Sequence, residues 1–456
     1  MKGVEVERPM KLYFIPYLAP GHMIPLGDIA SLFSLRGQQV TIITTPSNAH
    51  FFTKSLSSVD PYFLRLHTIK FPSLQVGLPD GIESLSSTTD PDTSGKIYTG
   101  AMLLQGPIQD FMEKDPPDCI IGDAIYPWVH DLAHKLQIPS FSFNGFSLFT
   151  ISLMESLRTN NFFHSHTDSN SGPFVVQNFP HSITMYSRPQ KSFTGFMETV
   201  LETIRKSNGL IVNNFSELDG EECIEYYEKT TGLKSWHLGP ASLIRRTDQE
   251  KADRGNESVV SVHECLSWLN SKRDNSVLYI CFGSICFFSD KQLYEIACGI
   301  EASGHEFVWI VPEKKGKEDE SEEEKEKWLP KGFEERNIEK KGLIIKGWSP
   351  QVMILSHTAV GAFMTHCGWN STVEAVGATE WCLDGVGEKE KVVSRDSIEK
   401  AVMRLMDGGD EAEEIRWRAR EFGDKARRAV EEGGSSHNNL LALIDDLKSL
   451  RDQKAH

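Results

Sequence analysis

His22 stands in PGHMIP, after a short apolar run and at the start of a segment with helical spacing. A neutral imidazole in a cleft can take a proton from a hydroxyl, and a helix N-terminus disfavours the protonated ring. A surface or structural histidine would look the same in a chain with 15 of them. Asp123 closes the run CIIGD, ahead of Pro127 and Trp128. A carboxylate there can fix a histidine tautomer and stabilise the imidazolium, or it can cap the next helix. Far downstream, HCGWNS (366–371) follows the apolar Val360, Ala362, Phe363 and Met364 and precedes STVEAVGA. That is a strand, a tight turn at Gly368 and a helix start. Unpaired N–H groups at a helix start bind phosphate, and His366, Asn370 and Ser371 add side-chain groups. Ser371 and Glu374 also fit a capping box, which needs no ligand. Gly283 and Ser284 end LYICFGS, where a bare backbone and a hydroxyl suit a phosphate; a plain turn has the same composition. Trp348, just before Ser349-Pro350-Gln351, offers an indole that could stack on a base or pack in a core.

The elements that would carry these residues alternate. LYFIPYL (12–18), QQVTIITTP, DCIIGDA (118–124) and IPSFSF read as strands, with helical spacing in IPLGDIASLFSLRG and PWVHDLAHKLQ between them. The rhythm restarts with SVLYICFGS (276–284), HEFVWIV (305–311), GLIIKGW (342–348) and AVGAFMTH (359–366). Alternation of this kind predicts α/β architecture, with parallel sheets covered on both faces. The expected organisation is a domain over 1–243, a polar linker over 244–261, and a second domain over 262–456. The charged run 313–327 reads as a solvated loop and the chain after about Asp410 as helices, the last of them expected to pack back on the first domain.

With 456 residues the chain exceeds one ordinary core. Its 48 basic and 64 acidic side chains give a net charge of −16, which argues against a nucleic-acid partner. Eight scattered cysteines, without metal-ligand spacing, suit reduced thiols in the cytoplasm. Pro and Gly break the apolar N-terminal run, and no membrane span is expected. No Ser-nucleophile elbow, Rossmann glycine fingerprint or Walker A loop is present, which counts against serine hydrolases, NAD enzymes and ATPases.

WSPQVMILSHTAVGAFMTHCGWNSTVE, from Trp348 to Glu374, closely resembles the donor signature of plant family-1 UDP-sugar glycosyltransferases. The likeness extends to LYFIPYLAPGHMIPLGDIASLF, GLIVNNFSELDGEECIEYYEK, WHLGPASL, ECLSWLNSK and WLPKGFEER, and thus over nearly the whole chain. It implies the GT-B fold, two doubly wound Rossmann-like domains facing a cleft. It implies catalysis by His22, oriented by Asp123, and inverting transfer of a hexose, by default glucose, from a UDP-sugar to a hydroxyl of a flavonoid, phenolic or triterpenoid. UDP-glucose is then a co-substrate, and neither metal nor cofactor is needed. In the donor site the resemblance puts the base on Trp348 and the backbone of Ser349, the ribose on Gln351 and Glu374, and phosphates against Ser284, His366, Gly368, Trp369, Asn370 and Ser371. The acceptor pocket is expected to include Phe143, Asn144 and Phe146, and the protein to act as a monomer.

The same signature breaks off. In the family it continues through a further strand to an acidic residue followed by Gln, which hold the sugar. Here Ala378 is followed at once by TEWCLDGVGEKEK, and neither Asp384 nor Glu388 precedes a Gln. Several tens of residues are missing, including one strand and the helix after it. This sets up a rival expectation of a UDP-binding remnant or splice variant with transfer weakened or lost.

Overall fold

The computed structural model describes residues 8–57, 59–88, 90–162, 173–185, 191–245, 247–256, 258, 261–284, 286, 288–311, 322–338, 341–375 and 392–454. The chain divides into two compact units, Met1–Ile244 with Lys425–His456, and Arg245–Asp424.

In the first unit a seven-stranded parallel sheet is built from β1 (Lys11–Ile15), β2 (Gln39–Thr44), β3 (Leu64–Thr68), β4 (Cys119–Asp123) and β5 (Ser140–Asn144). A short antiparallel hairpin, β6 (Phe174–Val175) and β7 (Thr184–Met185), stands apart, and β8 (Leu210–Val212) and β9 (Ser235–His237) complete the sheet in the order β3-β2-β1-β4-β5-β8-β9. Strand β1 shows why the apolar runs are continuous. Leu12 and Phe14 enter one core, with Phe33 of the Pro20–Leu35 helix, while Tyr13 and Ile15 enter the core on the opposite face. Successive side chains of a strand alternate between faces, so the strands of a sheet covered on both sides are apolar at most positions. Pro20 opens its helix where a missing N–H has no partner to lose. The final helix, Ser435–Lys454, places Leu440, Leu443, Ile444 and Leu447 at helical spacing in the first of these cores.

The second unit holds a four-stranded parallel sheet of β10 (Val277–Cys281), β11 (Glu306–Val311), β12 (Gly342–Lys346) and β13 (Val360–Thr365), ordered β12-β11-β10-β13. Leu278 and Ile280 face one core with Trp309, while Val277, Tyr279 and Cys281 face the other. Helices Asp290–Ser303 and Arg395–Met406 pack together on the first of these faces. Among the described residues β13 pairs only with β10 and ends the sheet. The break at Ala378, with Asp384 and Glu388, lies outside the described residues, as does most of the charged run; Glu322–Lys325 within that run is a short helix. The polar stretch expected to be a linker differs from a plain tether. It carries a helix, Asp248–Ala252, capped by Thr247 and Glu250, and belongs to the second unit. No described helix is long and apolar enough to cross a membrane.

Candidate functional site

Strands β1 and β4 are parallel neighbours with Ile15 level with Gly122, so their carboxyl ends emerge side by side. Ligands of open α/β sheets bind at such ends. The chain leaving β1 turns into the Pro20–Leu35 helix and delivers His22 in its first turn; β4 ends on Asp123. The two meet, with His22 Nδ1 2.7 Å from Asp123 Oδ2. The Asp123 side chain is 1% exposed and that of His22 20%. Asp123 also accepts from the backbone N–H of Ile125 at 3.1 Å and of Tyr17 at 3.4 Å. A carboxylate can only accept, so Nδ1 carries a proton, and in the neutral ring Nε2 presents its lone pair. The dyad therefore has the polarity of a general base with its orienting acid.

Tyr17 was not legible as part of this group. Its ring stands edge-on to His22, centroids 5.6 Å apart, and burial, with the Asp123 charge next, raises its phenol well above the ordinary range. It stays neutral and forms one wall of the dyad. Gly145 forms another: a Cβ there would lie 3.4 Å from His22 Cε1. Its neighbours differ from the expected acceptor lining. Phe143 is wholly buried in the core with Phe14 and Phe33, because it occupies an inward position of a central strand, and so reaches no ligand surface. Asn144 is buried, and its Oδ1 accepts from the N–H of Phe146 at 2.8 Å, closing a turn. Phe146 is half-buried and packs on the core under helix Leu148–Thr159.

In the second unit the expected donor residues again collect at carboxyl ends. Ser284 follows β10, Trp348 follows β12, and His366 follows β13. Gly283 has φ +76°, and a Cβ there would come within 2.5 Å of His366 Cε1, so only glycine lets these two strand ends approach. Cys367 takes φ 55°, uncommon without glycine, and turns the chain from His366 into helix Trp369–Ala375. Gly368, Trp369 and Asn370 are half-buried, as is Trp348, while Ser349 and Ser371 are buried.

Ser349, Gln351, Ser371 and Glu374 form one polar network with Tyr279 and Arg254. Ser349 Oγ lies 3.0 Å from the hydroxyl of Tyr279, a phenol that burial keeps neutral. Gln351 Nε2 donates to Glu374 Oε2 at 2.8 Å and to Ser371 Oγ at 3.3 Å. The other carboxylate oxygen of Glu374 is ion-paired with Arg254. Arg254 lies in the stretch read as a linker. A lone arginine in a polar run carries no signal that would have marked it.

Two parallel-sheet units with polar groups at their strand ends define the GT-B class, and comparison with solved structures agrees. Glycyrrhiza uralensis UGT73P12, complexed with glycyrrhetinic acid 3-O-monoglucuronide, superposes with a TM-score of 0.87 at 35% identity, over 98% of this chain and 97% of that one. The family described as UDP-glucoronosyl and UDP-glucosyl transferase matches residues 257–379. UDP-glucosyl transferase 73CC6 of Saponaria officinalis is 42% identical over 98% of this chain and 99% of its own length. UDP-glucose flavonoid 3-O-glucosyltransferase 7 of Fragaria ananassa is 40% identical over 97% and 96%. The chain belongs to this family of UDP-glycosyltransferases. The match to the family ends at residue 379, where the donor signature breaks off. The Saponaria alignment runs over 490 positions, more than the 456 residues of this chain, so part of that relative has no counterpart here.

Proposed function

We propose that this protein transfers glucose from UDP-glucose, with inversion, to a hydroxyl of a flavonoid, phenolic or triterpenoid acceptor, acting as a cytoplasmic monomer. The observation that carries the reading is the His22–Asp123 pair, with Nδ1 committed to the carboxylate and Nε2 left as base. Nε2 takes the acceptor's hydroxyl proton as its oxygen attacks the anomeric carbon from the face opposite the diphosphate. The bond from that carbon to the diphosphate oxygen breaks, its electron pair leaves with UDP, and the sugar inverts. Asp123 stabilises the imidazolium that forms. His366, Ser284 and Ser371 serve the diphosphate, Trp348 the base, and Gln351 with Glu374 the ribose. The named relatives support the donor and acceptor classes, since one is called a UDP-glucose flavonoid 3-O-glucosyltransferase and another is solved with glycyrrhetinic acid 3-O-monoglucuronide.

A second reading is favoured by the break in the donor signature after Ala378, ahead of the place where the family carries the acidic–Gln pair for the sugar. The chain then binds UDP and transfers slowly or not at all, because positioning of the reacting carbon is lost. A thermal melt of the full chain with UDP and with UDP-glucose, followed by an acceptor screen, separates the two. Stabilisation by UDP together with product supports the transferase; stabilisation without product supports the binding remnant; no stabilisation by either nucleotide overturns both.

A further inference from the structure

We propose that Arg254 is a positioning residue for the donor site, acting through Glu374 on the ribose of the bound nucleotide. The inference rests on the reading of Glu374 as the ribose contact. Helix Asp248–Ala252 packs against helix Gln351–Leu355, which begins with Gln351, and the chain leaving the first helix brings Arg254 to Glu374. The Arg254 side chain is 8% exposed and that of Glu374 6%. Burying a charged group is costly unless it is paired, and here each partner supplies the other's counter-charge. The guanidinium supplies the charge, and its planar fork fixes the carboxylate plane in a way an ammonium does not.

The remaining geometry leaves room for a ligand. Glu374 gives one oxygen to Arg254 and the other to Gln351 Nε2, at 2.8 Å. An ionised carboxylate offers about four acceptor sites, so two partners leave capacity for two hydroxyls. Hydrogen bonds from hydroxyls to a charged acceptor are the strong kind. Arg254 touches no substrate in this scheme; it holds the Glu374 carboxylate in place and aimed.

The test compares UDP with 2′,3′-dideoxy-UDP by calorimetry on the full-length chain, alongside thermal melts. The wild type is expected to prefer UDP by about tenfold to a hundredfold, the worth of charge-assisted hydrogen bonds to the ribose. Glu374→Gln should collapse that ratio. Arg254→Ala should collapse it too, by about tenfold, while binding of the dideoxy nucleotide stays within about twofold. Arg254→Lys keeps the charge and should give an intermediate ratio with a melting temperature near that of the wild type. A residue that merely stabilised the fold would lower the melting temperature and leave the ratio alone, and a wild-type ratio with Arg254→Ala overturns the inference. Should Arg254→Ala not fold, an undiminished ratio in Arg254→Lys overturns it instead. A wild type that binds neither nucleotide, or that does not discriminate between them, removes the reading of Glu374 and the inference with it. Collapse in Glu374→Gln alone removes only the role of Arg254.

Discussion

Strand β4, which ends on Asp123, is buried at all five residues and paired on both sides, with β1 and β5. Strand β13, which leads to His366, is half-buried at all six and, among the described residues, paired on one side only. The proposed base thus rests on a closed framework, and the proposed phosphate-binding turn on a strand that ends its sheet among the described residues. An edge strand leaves one row of backbone groups without a ladder. The difference shows that an interruption after the donor signature need not disturb the dyad, since the two rest on separate sheets, and that any loss of activity should originate in the second unit.

The strongest way to break this contrast is to remove the base. His22→Ala should lower the transfer rate by roughly 10²- to 10⁴-fold, the usual worth of general-base catalysis. UDP affinity, assigned by the proposal to the second unit, should be unchanged. Asp123→Asn should cost a comparable factor by reversing the polarity of the pair, because its amide N–H can hold the tautomer with the proton on Nε2. Initial rates and calorimetric UDP titrations on the same preparations check both. Equal losses in rate and UDP binding would mean that the two sites are not separable in this way.

The closed framework has a weak point of its own. His130, in helix Trp128–Lys135, is fully buried, with Nδ1 2.8 Å from Ser140 Oγ and Nε2 2.7 Å from Ser142 Oγ on β5. Burial pushes it down from 6.5 to about 4. The folded state therefore refuses a proton that the unfolded chain accepts. The stability this gives is complete above about pH 6.5 and is lost as pH falls towards 4, a loss of about 3 kcal/mol from the first unit. His130→Gln, which does not titrate, should flatten the melting temperature between pH 6.5 and 4.5. A wild-type profile that is already flat there would contradict the buried, neutral imidazole.

The donor turn can be probed by a single methyl group. Gly283 has a positive φ, and an added Cβ would meet the His366 ring. Gly283→Ala should weaken UDP binding by about tenfold, or about 1.4 kcal/mol, from backbone strain and a displaced imidazole. It should leave the first unit's melting and acid sensitivity unaltered. Unchanged UDP affinity would show that His366 does not contact the diphosphate.

Which of these features the sequence discloses follows from how local each signal is. Strands β1, β2, β4 and β10 to β13 announce themselves by largely apolar runs, and β5, SFSFN, by its two phenylalanines between small polar residues. Strand β3, LRLHT, escapes because charge interrupts it, and β8 and β9 escape because three residues carry no period. His22 and Asp123 are visible as residues, yet their pairing over a separation of 101 depends on β1 and β4 being neighbours, which no local pattern states. Phe143 misled because alternation along a central strand does not say which residues reach a ligand at its end. Arg254 was hidden by its setting, since a polar run reads as solvated whether or not one member turns inward.

That setting gives the smallest of the expected effects. The Asp248–Ala252 helix has only five residues, too few to be stable alone, and depends on its cap and on packing against Gln351–Leu355. Thr247 accepts from the N–H of Glu250, whose side chain in turn accepts from the N–H of Thr247. Thr247→Ala removes half of this capping box and should cost about 0.5–1 kcal/mol of local stability. The first unit contains no part of that helix, so its acid profile should stay fixed. If the helix serves only as a tether, the cost ends with hydrogen exchange of its own amides. If it delivers Arg254, the preference for UDP over the dideoxy nucleotide should also slip, by about twofold to fivefold, because part of the fraying free energy is charged against the bound geometry. Exchange that accelerates without any change in that preference would uncouple the helix from the donor site.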